Sequence, residues 1–432
     1  MRYTRSIPAT LLLAGLLAAC SPGTSAPTAD AEPGAADSEA PAEAVDTVSL
    51  WYLSDAVGVE EAIARFEQAN PGITVDAQPY ANDQYKTKLK VALGTPNGPD
   101  VFHTWGGGEL KTYAEAGQVM DITELVAASD VGQNVSEAAL ASGTFDGSVY
   151  AVPVTVEASM VWYRTDIFEQ LSLEEPTTWD EFLDVIATTK EAGLVPIAMA
   201  NGARWPGTHW WSEVVAQTCG PDFVSRAAAG DARFDDPCVV QAHTHLQELV
   251  DAGAFNEGFN GLDYDSGESR RFFYSGEAAM NHMGNWTVSS AREESPEVLD
   301  KMAMFTLPAV PNGKVSNAAM TGGTNLFAIS ESAADADLAQ KLLLELTGKV
   351  AAEDIAAGGR IPVYAGVTVD DPLLQEVVDA IAAAPALSPW PDQFLDPSVA
   401  EVLLTQSQGI FGKETTPEEA AAALQAAQEK VS

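Results

Sequence analysis

The sequence predicts an α/β fold. Short continuous apolar runs near the start of the chain alternate with segments of helical periodicity. The spacing of those runs is that of parallel βαβ units. No apolar run after the first twenty residues is long enough to form a membrane helix.

The N-terminus is read apart from the fold. Arg2 and Arg5 precede the apolar run Leu11–Leu17, which is too short to span a bilayer, and Leu17-Ala18-Ala19-Cys20 follows. A basic start, an apolar middle and a small-residue cleavage site make a secretory signal peptide over residues 1–19. The cysteine at the cut resembles the lipobox of bacterial lipoproteins, which implies that Cys20 begins the mature chain and carries lipid. The alternative, an ordinary signal peptide with an incidental cysteine, leaves the next segment without a purpose. Residues 20–46 are rich in Ala, Pro, Ser, Thr, Gly, Asp and Glu, too polar to offset the entropy of ordering, and read as a flexible tether.

The first folded run, Thr47–Leu53, reads as a buried strand. Val59, Ile63 and Phe66 recur at helical spacing until Asn70-Pro71-Gly72 stops the helix. Ile73–Tyr80 is a second strand, and Tyr85, Leu89 and Leu93 mark a second helix. The Pro96-Asn97-Gly98-Pro99 turn leads to a third strand, 100–105. Ligands of such sheets bind beyond the carboxyl ends of the strands, which singles out Ser54, Asp55 and Trp105. Asp146-Gly147 turns a strand pair within 145–153, and 154–163 is apolar and β-rich. Thr177-Thr178-Trp179-Asp180-Glu181 opens a helix with acids in its first turn. Residues 201–211 read as an aromatic-dense loop whose last two tryptophans enter a buried helix. A strand holding Gly322-Gly323 spans 318–330, alanine-rich helices follow Asp335, and 416–430 reads as a surface helix.

The 62 acidic and 22 basic residues give a formal net charge of −40, which argues against nucleic acid or an anionic membrane surface as partner. Of three cysteines, Cys219 and Cys238 remain after Cys20, an even pair in an exported chain. Their bridge would close a loop of about 20 residues and stabilise by roughly 3 kcal/mol. The histidines are scattered, and His243 and His245 lie two apart on a helix, facing different ways, so no metal site is expected. Gly106-x-Gly108 lacks the third glycine of a dinucleotide fingerprint, and no cofactor is expected.

Several blocks in order resemble the extracellular solute-binding proteins of ABC importers, specifically the sugar-binding class typified by maltose-binding protein. They are Leu50-Trp51-Tyr52 with Phe66-Glu67-x-x-Asn70-Pro71-Gly72, and Gly98-Pro99-Asp100-Val101-Phe102 with Trp105-Gly106-Gly107-Gly108. Tyr150-Ala151-Val152-Pro153, Trp162-Tyr163-Arg164-Thr165-Asp166 and Thr178-Trp179-Asp180-Glu181-Phe182 follow. Phe273-Tyr274-x-Gly276-x-Ala278-Ala279-Met280 with Gly284-Asn285-Trp286 is the most specific block. The resemblance implies a two-lobed periplasmic-binding-protein-like fold with a cleft between lobes. One lobe is expected to hold 47–154 plus 308–358, the other 158–305 plus 363–432. It further implies a monomer on the outer face of the cytoplasmic membrane that passes a carbohydrate, in the first place an oligosaccharide, to importer permease subunits.

A sugar has hydroxyl edges and apolar C–H faces, so its site needs aromatic plates and fixed polar groups. In the resembling family the block at Trp286 and the loops at Trp105, Trp205 and His209 supply cleft residues. For each the alternative is a core aromatic. Two prolines bracket Trp390, and Asp392 and Gln393 beside it suit adjacent hydroxyls. Glu157 resembles a hinge acid, and Ser54, Asp55, Thr324 and Asn325 begin loops of the first lobe. The competing classes are a binder of a peptide or polyamine and an exported glycoside-active enzyme. With 62 acids, some carboxylate pair always looks suitable, so the enzyme has no specific signal. Neither Gly-x-Ser-x-Gly nor His-Glu-x-x-His occurs, and the chain is expected not to be an enzyme.

Overall fold

A computed structural model describes residues 46–315 and 319–431; the signal segment, Cys20 and the tether up to residue 45 lie outside the described residues. The described residues form eleven strands: β1 Asp46–Leu53, β2 Ile73–Tyr80, β3 Val101–Thr104, β4 Thr144–Phe145, β5 Ser148–Val149, β6 Ala151–Arg164, β7 Val195–Ala198, β8 Ala278–Gly284, β9 Met302–Phe305, β10 Met320–Ile329 and β11 Leu387–Pro389. Strands β4 and β5 form a hairpin whose turn residues Asp146 and Gly147 both have positive φ. The other nine form one sheet in the order β2-β1-β3-β10-β6-β8-β7, with β11 beside β10 and β9 beside β6.

The sheet is parallel at its ends and antiparallel in the middle. Strand β1 runs parallel to β2 and β3, and β7 parallel to β8. Between them the long strands β6 and β10 pair antiparallel and belong to both halves of the molecule. The amino half of β6 and the carboxyl half of β10 complete the first lobe, where Leu326 to Ile329 pair with Thr104 to Val101. The other half of β6 pairs with β8 and β9 in the second lobe. The change of lobe coincides with a register shift between Asn325 and Leu326.

Each lobe buries two apolar cores. In the first, Leu50, Phe66, Val101, Phe327 and Leu342 fill one face of the sheet, and Tyr85, Phe102, Leu110 and Leu326 the other. In the second, Phe182, Trp210, Trp211, Phe305 and Phe411 lie on one face, and Met160, Trp162, Phe273, Val288 and Leu374 on the other. Local chemistry sets the helix ends. Val59–Ala69 ends where the Asn70 N–H bonds Phe66 O, and Trp179–Glu191 starts at a reciprocal capping box of Thr178 and Glu181. Cys219 and Cys238 are disulfide-bonded. No helix among the described residues is long and apolar enough to cross a membrane.

Two expectations change. The aromatic loop ends at Arg204, because the helix Trp205–Cys219 starts at Trp205 with Pro206 in its first turn, and all fifteen of its residues are buried. Tryptophans on every side of this helix are met by sheet on one side and helices on the other. The terminal helix Pro417–Gln428 is half a core element. Its small Ala420, Ala421 and Ala427 flank Leu424 and let it approach the helices Pro397–Gly412 and Pro237–Ala252 closely.

Candidate functional site

The crossing strands bring the candidate residues together. Glu157 lies opposite Gly323 on the β6–β10 ladder, and Asn325 lies two residues further along β10 on the same face. Around them is a cavity between the lobes. The first lobe supplies Asp55 from the loop after β1 and Trp105 from the end of β3. The second supplies Trp205 and His209 from one helix, Trp286 at the start of another, and Trp390, Asp392 and Gln393 from the segment after β11. Ten of the twelve residues singled out from sequence therefore line one cavity.

Ser54 and Thr324 do not line it. The exposed Ser54 gives its backbone N–H to Tyr80 O. Thr324 bonds Ser142 Oγ, because alternation along β10 turns it away from the face that Asn325 occupies. Leu53, Asn82, Lys86, Tyr264 and Arg360 also line the cavity and were not anticipated. Arg360 had a signal, as a rare basic residue between two glycines and Ile361-Pro362. Lys86 had none, being one of three lysines on an amphipathic helix.

Ring geometry fixes the walls. The Trp390 and His209 rings stack 4.7 Å apart at 4°. Trp390 Nε1 donates to Ser159 Oγ, and Ser159 meets His209 Nδ1 at 3.2 Å. Burial holds His209 well below the usual histidine range, so the ring is neutral. Trp286 Nε1 donates to Tyr264 OH, leaving the indole its faces. Two glycines make room for these plates. A Cβ at Gly284 would stand 2.0 Å from Trp286 Cζ3, and one at Gly323 would stand 2.8 Å from Trp390 Cε3. Opposite, Lys86 Nζ lies 4.7 Å from the centroid of Trp105.

Arg360 holds the inner end. It is 5% exposed, and its Nε donates to Ser289 Oγ at 2.8 Å, Nη1 to Glu157 Oε1 at 3.2 Å and Nη2 to Asp55 Oδ2 at 2.9 Å. One guanidinium thus joins the first lobe, the crossing strand and the second lobe. Glu157 Oε1 also accepts from Thr155 Oγ1 and Asn325 Nδ2. Burial pushes the Glu157 carboxyl up, and the Arg360 charge partly opposes this.

Two buried polar atoms on this cavity have no partner, Glu157 Oε2 and Asp392 Oδ1, while the Trp205 indole N–H is turned to the Asp83 carboxylate. Each unmet group costs about 1–3 kcal/mol. The walls therefore place two carboxyl oxygens without partners between flat apolar plates. That arrangement matches a neutral polyhydroxylated ring. Asp83 also meets Asp263 and Asp265 across the lobes, with oxygens within 4.8 Å; clustered acids alone do not define a metal site.

Residues 52–353 match the family of bacterial extracellular solute-binding proteins. The chain is 26% identical over 357 residues to the diacetylchitobiose binding protein of Streptomyces coelicolor, covering 80% of this chain and 78% of that one. It is 25% identical over 286 residues to an uncharacterized ABC transporter extracellular-binding protein of Pyrococcus horikoshii, where the match spans 64% of this chain and 62% of the relative. Among solved structures, one from work on xylan utilization by the thermophilic bacterium Caldanaerobius polysaccharolyticus superposes with a TM-score of 0.82 at 26% identity. That likeness covers 89% of this chain and 100% of the other. A chitin oligosaccharide binding protein gives 0.79 at 25%, covering 89% and 98%.

Proposed function

We propose that this chain, which belongs to the bacterial extracellular solute-binding protein family, captures a carbohydrate in the cavity between its lobes and delivers it to an ABC-type importer. The observation that carries the reading is the cavity itself: tryptophan plates, with two carboxyl oxygens that have no partner, at the strands that cross between lobes. Each plate contributes ~1 kcal/mol beyond area burial, and each hydrogen bond ~1 kcal/mol, so micromolar affinity, about −8 kcal/mol, is expected. Relatives that bind diacetylchitobiose and chitin oligosaccharides favour an oligosaccharide. The chain holds its ligand without cleaving it, as a monomer with no cofactor, metal or nucleic acid. Hinge bending about the crossing strands closes the cleft and creates the surface the permease subunits recognise.

The family is exported, and we infer that Cys20 carries a lipid that tethers residues 20–46 to the outer face of the cytoplasmic membrane. We place the first lobe at about 47–154 and the second at about 158–305 plus 363–432. We assign Val310 and Met320 to the second lobe, because they pack in its cores, and start the return to the first lobe within β10.

Thermal unfolding of the protein without residues 1–46 tests the function, against linear β-1,4-xylose, α-1,4-glucose and β-1,4-N-acetylglucosamine series, amino acids, peptides, polyamines and metal ions. A ligand specific to the fold raises the melting temperature by mass action. A rise with one sugar series, recovered intact, is expected. A rise only with peptides, polyamines or metals removes the carbohydrate reading, and cleavage of the sugar makes the chain an enzyme.

A further inference from the structure

A second chamber adjoins the inner end of the aromatic cavity, and the two share Leu53, Asp55, Asn325 and Arg360. It reaches into the first lobe, where Val59, Val154, Phe327 and Ile355 give it apolar walls. No side chain caps the helix Val59–Ala69, so its first N–H groups stay open where Gly58 and Val59 line the chamber. His103 lines it too; the residue is 2% exposed, and its Nδ1 has no partner among the described residues. The proton of that ring can be placed. Glu157 Oε1 accepts from Arg360, so it meets Asn325 through the amide nitrogen, and Asn325 Oδ1 is an acceptor. His103 Nε2, 3.1 Å from that oxygen, therefore donates, and Nδ1 keeps a bare lone pair. Burial lowers the His103 pKa to about 4, so the ring is neutral.

The chamber thus combines one acceptor, backbone donors and apolar walls, and few ligand groups suit all three. A hydroxymethyl group donates to Nδ1 and leaves the apolar walls bare. A carboxylate meets the lone pair of His103 and the charge of Asp55. An ammonium loses its water among aliphatic side chains and stands beside Arg360. An acetamido group donates from its N–H, accepts at its carbonyl oxygen and buries its methyl. We propose that the chamber takes the N-acyl substituent of a sugar whose ring lies between the tryptophan plates, so that the ligand ends in an N-acetylated amino sugar. This rests on the carbohydrate reading of the aromatic cavity. The plates then hold the ring, and the chamber reads the substituent beside it.

Calorimetric titration of the protein without residues 1–46 tests this with β-1,4-linked dimers and trimers of glucose, glucosamine and N-acetylglucosamine, which differ only at C2. The N-acetylated members are expected to bind at least about 30-fold more tightly than either counterpart, from two hydrogen bonds and one buried methyl. Ala56→Leu puts a larger side chain into the chamber at a half-buried position away from the tryptophan plates. It is expected to weaken the N-acetylated members at least about tenfold and to leave any plain sugar that binds within about threefold. Equal affinity across the C2 set overturns the proposal. So does binding of xylose or α-1,4-glucose oligomers with none of the N-acetylated members, or a folded Ala56→Leu variant that binds them as the native protein does. If that variant does not fold, the C2 comparison on the native protein decides. Silence of every sugar removes the carbohydrate reading itself, and the chamber proposal with it.

Discussion

Trp286 is held by two constraints that act on one ring. Its N–H is used by Tyr264, and its six-membered edge lies where a Cβ at residue 284 would be. The ring cannot turn its edge to a ligand and must offer a face. Trp286→Ala removes that plate and the apolar area it covers, together about 2–3 kcal/mol. Affinity for the bound sugar is expected to fall about 30- to 160-fold by calorimetry; unchanged affinity would remove Trp286 from the site. At this scale the sequence is informative where a motif fixes both residue and neighbours, as in Gly284-Asn285-Trp286. It is weaker for Ser54 and Thr324, each one residue from a cavity position. A loop start locates a residue to within one or two positions, and one position on a strand reverses the face. Lys86 becomes a site residue only once distant segments meet, which no local pattern in this chain records.

The strand β10 illustrates what an element adds to its residues. Asn325 reaches Glu157 and His103 at the point where the register with β6 shifts, its own partner being Thr155 and that of Leu326 being Pro153. Gly323, opposite Glu157, leaves space for Trp390 to lie against bare backbone. Gly323→Ala puts a methyl group 2.8 Å from Cε3 and 3.1 Å from Cζ3 of that indole, inside contact distance. The ring must shift and break its stack on His209. Sugar affinity is expected to fall at least tenfold with a change in tryptophan fluorescence, while the far-ultraviolet circular dichroism stays native. Native fluorescence with native affinity would show that the close packing of Gly323 and Trp390 does not matter. Elements with strong period or punctuation, such as β1 to β3 and the helix capped by Thr178, were legible from sequence. The helix Trp205–Cys219 was not. Its aromatic residues surround it without a polar face, and the Asn, Gly and Pro before it resemble a loop.

For the whole molecule, acid strength and burial combine in one stability profile. With −40 formal charges, the chain has little positive charge with which to stabilise buried carboxylates, and burial raises Glu157, Glu213 and Asp392. A raised carboxyl binds its proton more readily in the fold than unfolded, so these groups favour folding as the pH falls. Buried histidines act the other way. His243 Nε2 accepts from Trp211 Nε1 at 2.8 Å, and its Nδ1 lies 2.9 Å from Pro417 O, a pattern only the neutral ring satisfies. Burial lowers its pKa to about 4, against about 6.5 unfolded. Above pH 6.5 both states are neutral and the ring adds no pH dependence. Between pH 6.5 and 4 the unfolded chain takes up a proton that the fold refuses, and stability falls by up to about 3 kcal/mol. The two families of groups oppose each other over the same range, so the total slope identifies neither. A variant separates them. Gln in place of His243 accepts and donates without titrating. The stability advantage of the native protein over His243→Gln, measured by urea unfolding, should shrink by about 3 kcal/mol from pH 7 to 4. A constant difference would mean that the three helices meeting at His243 tolerate its charged form.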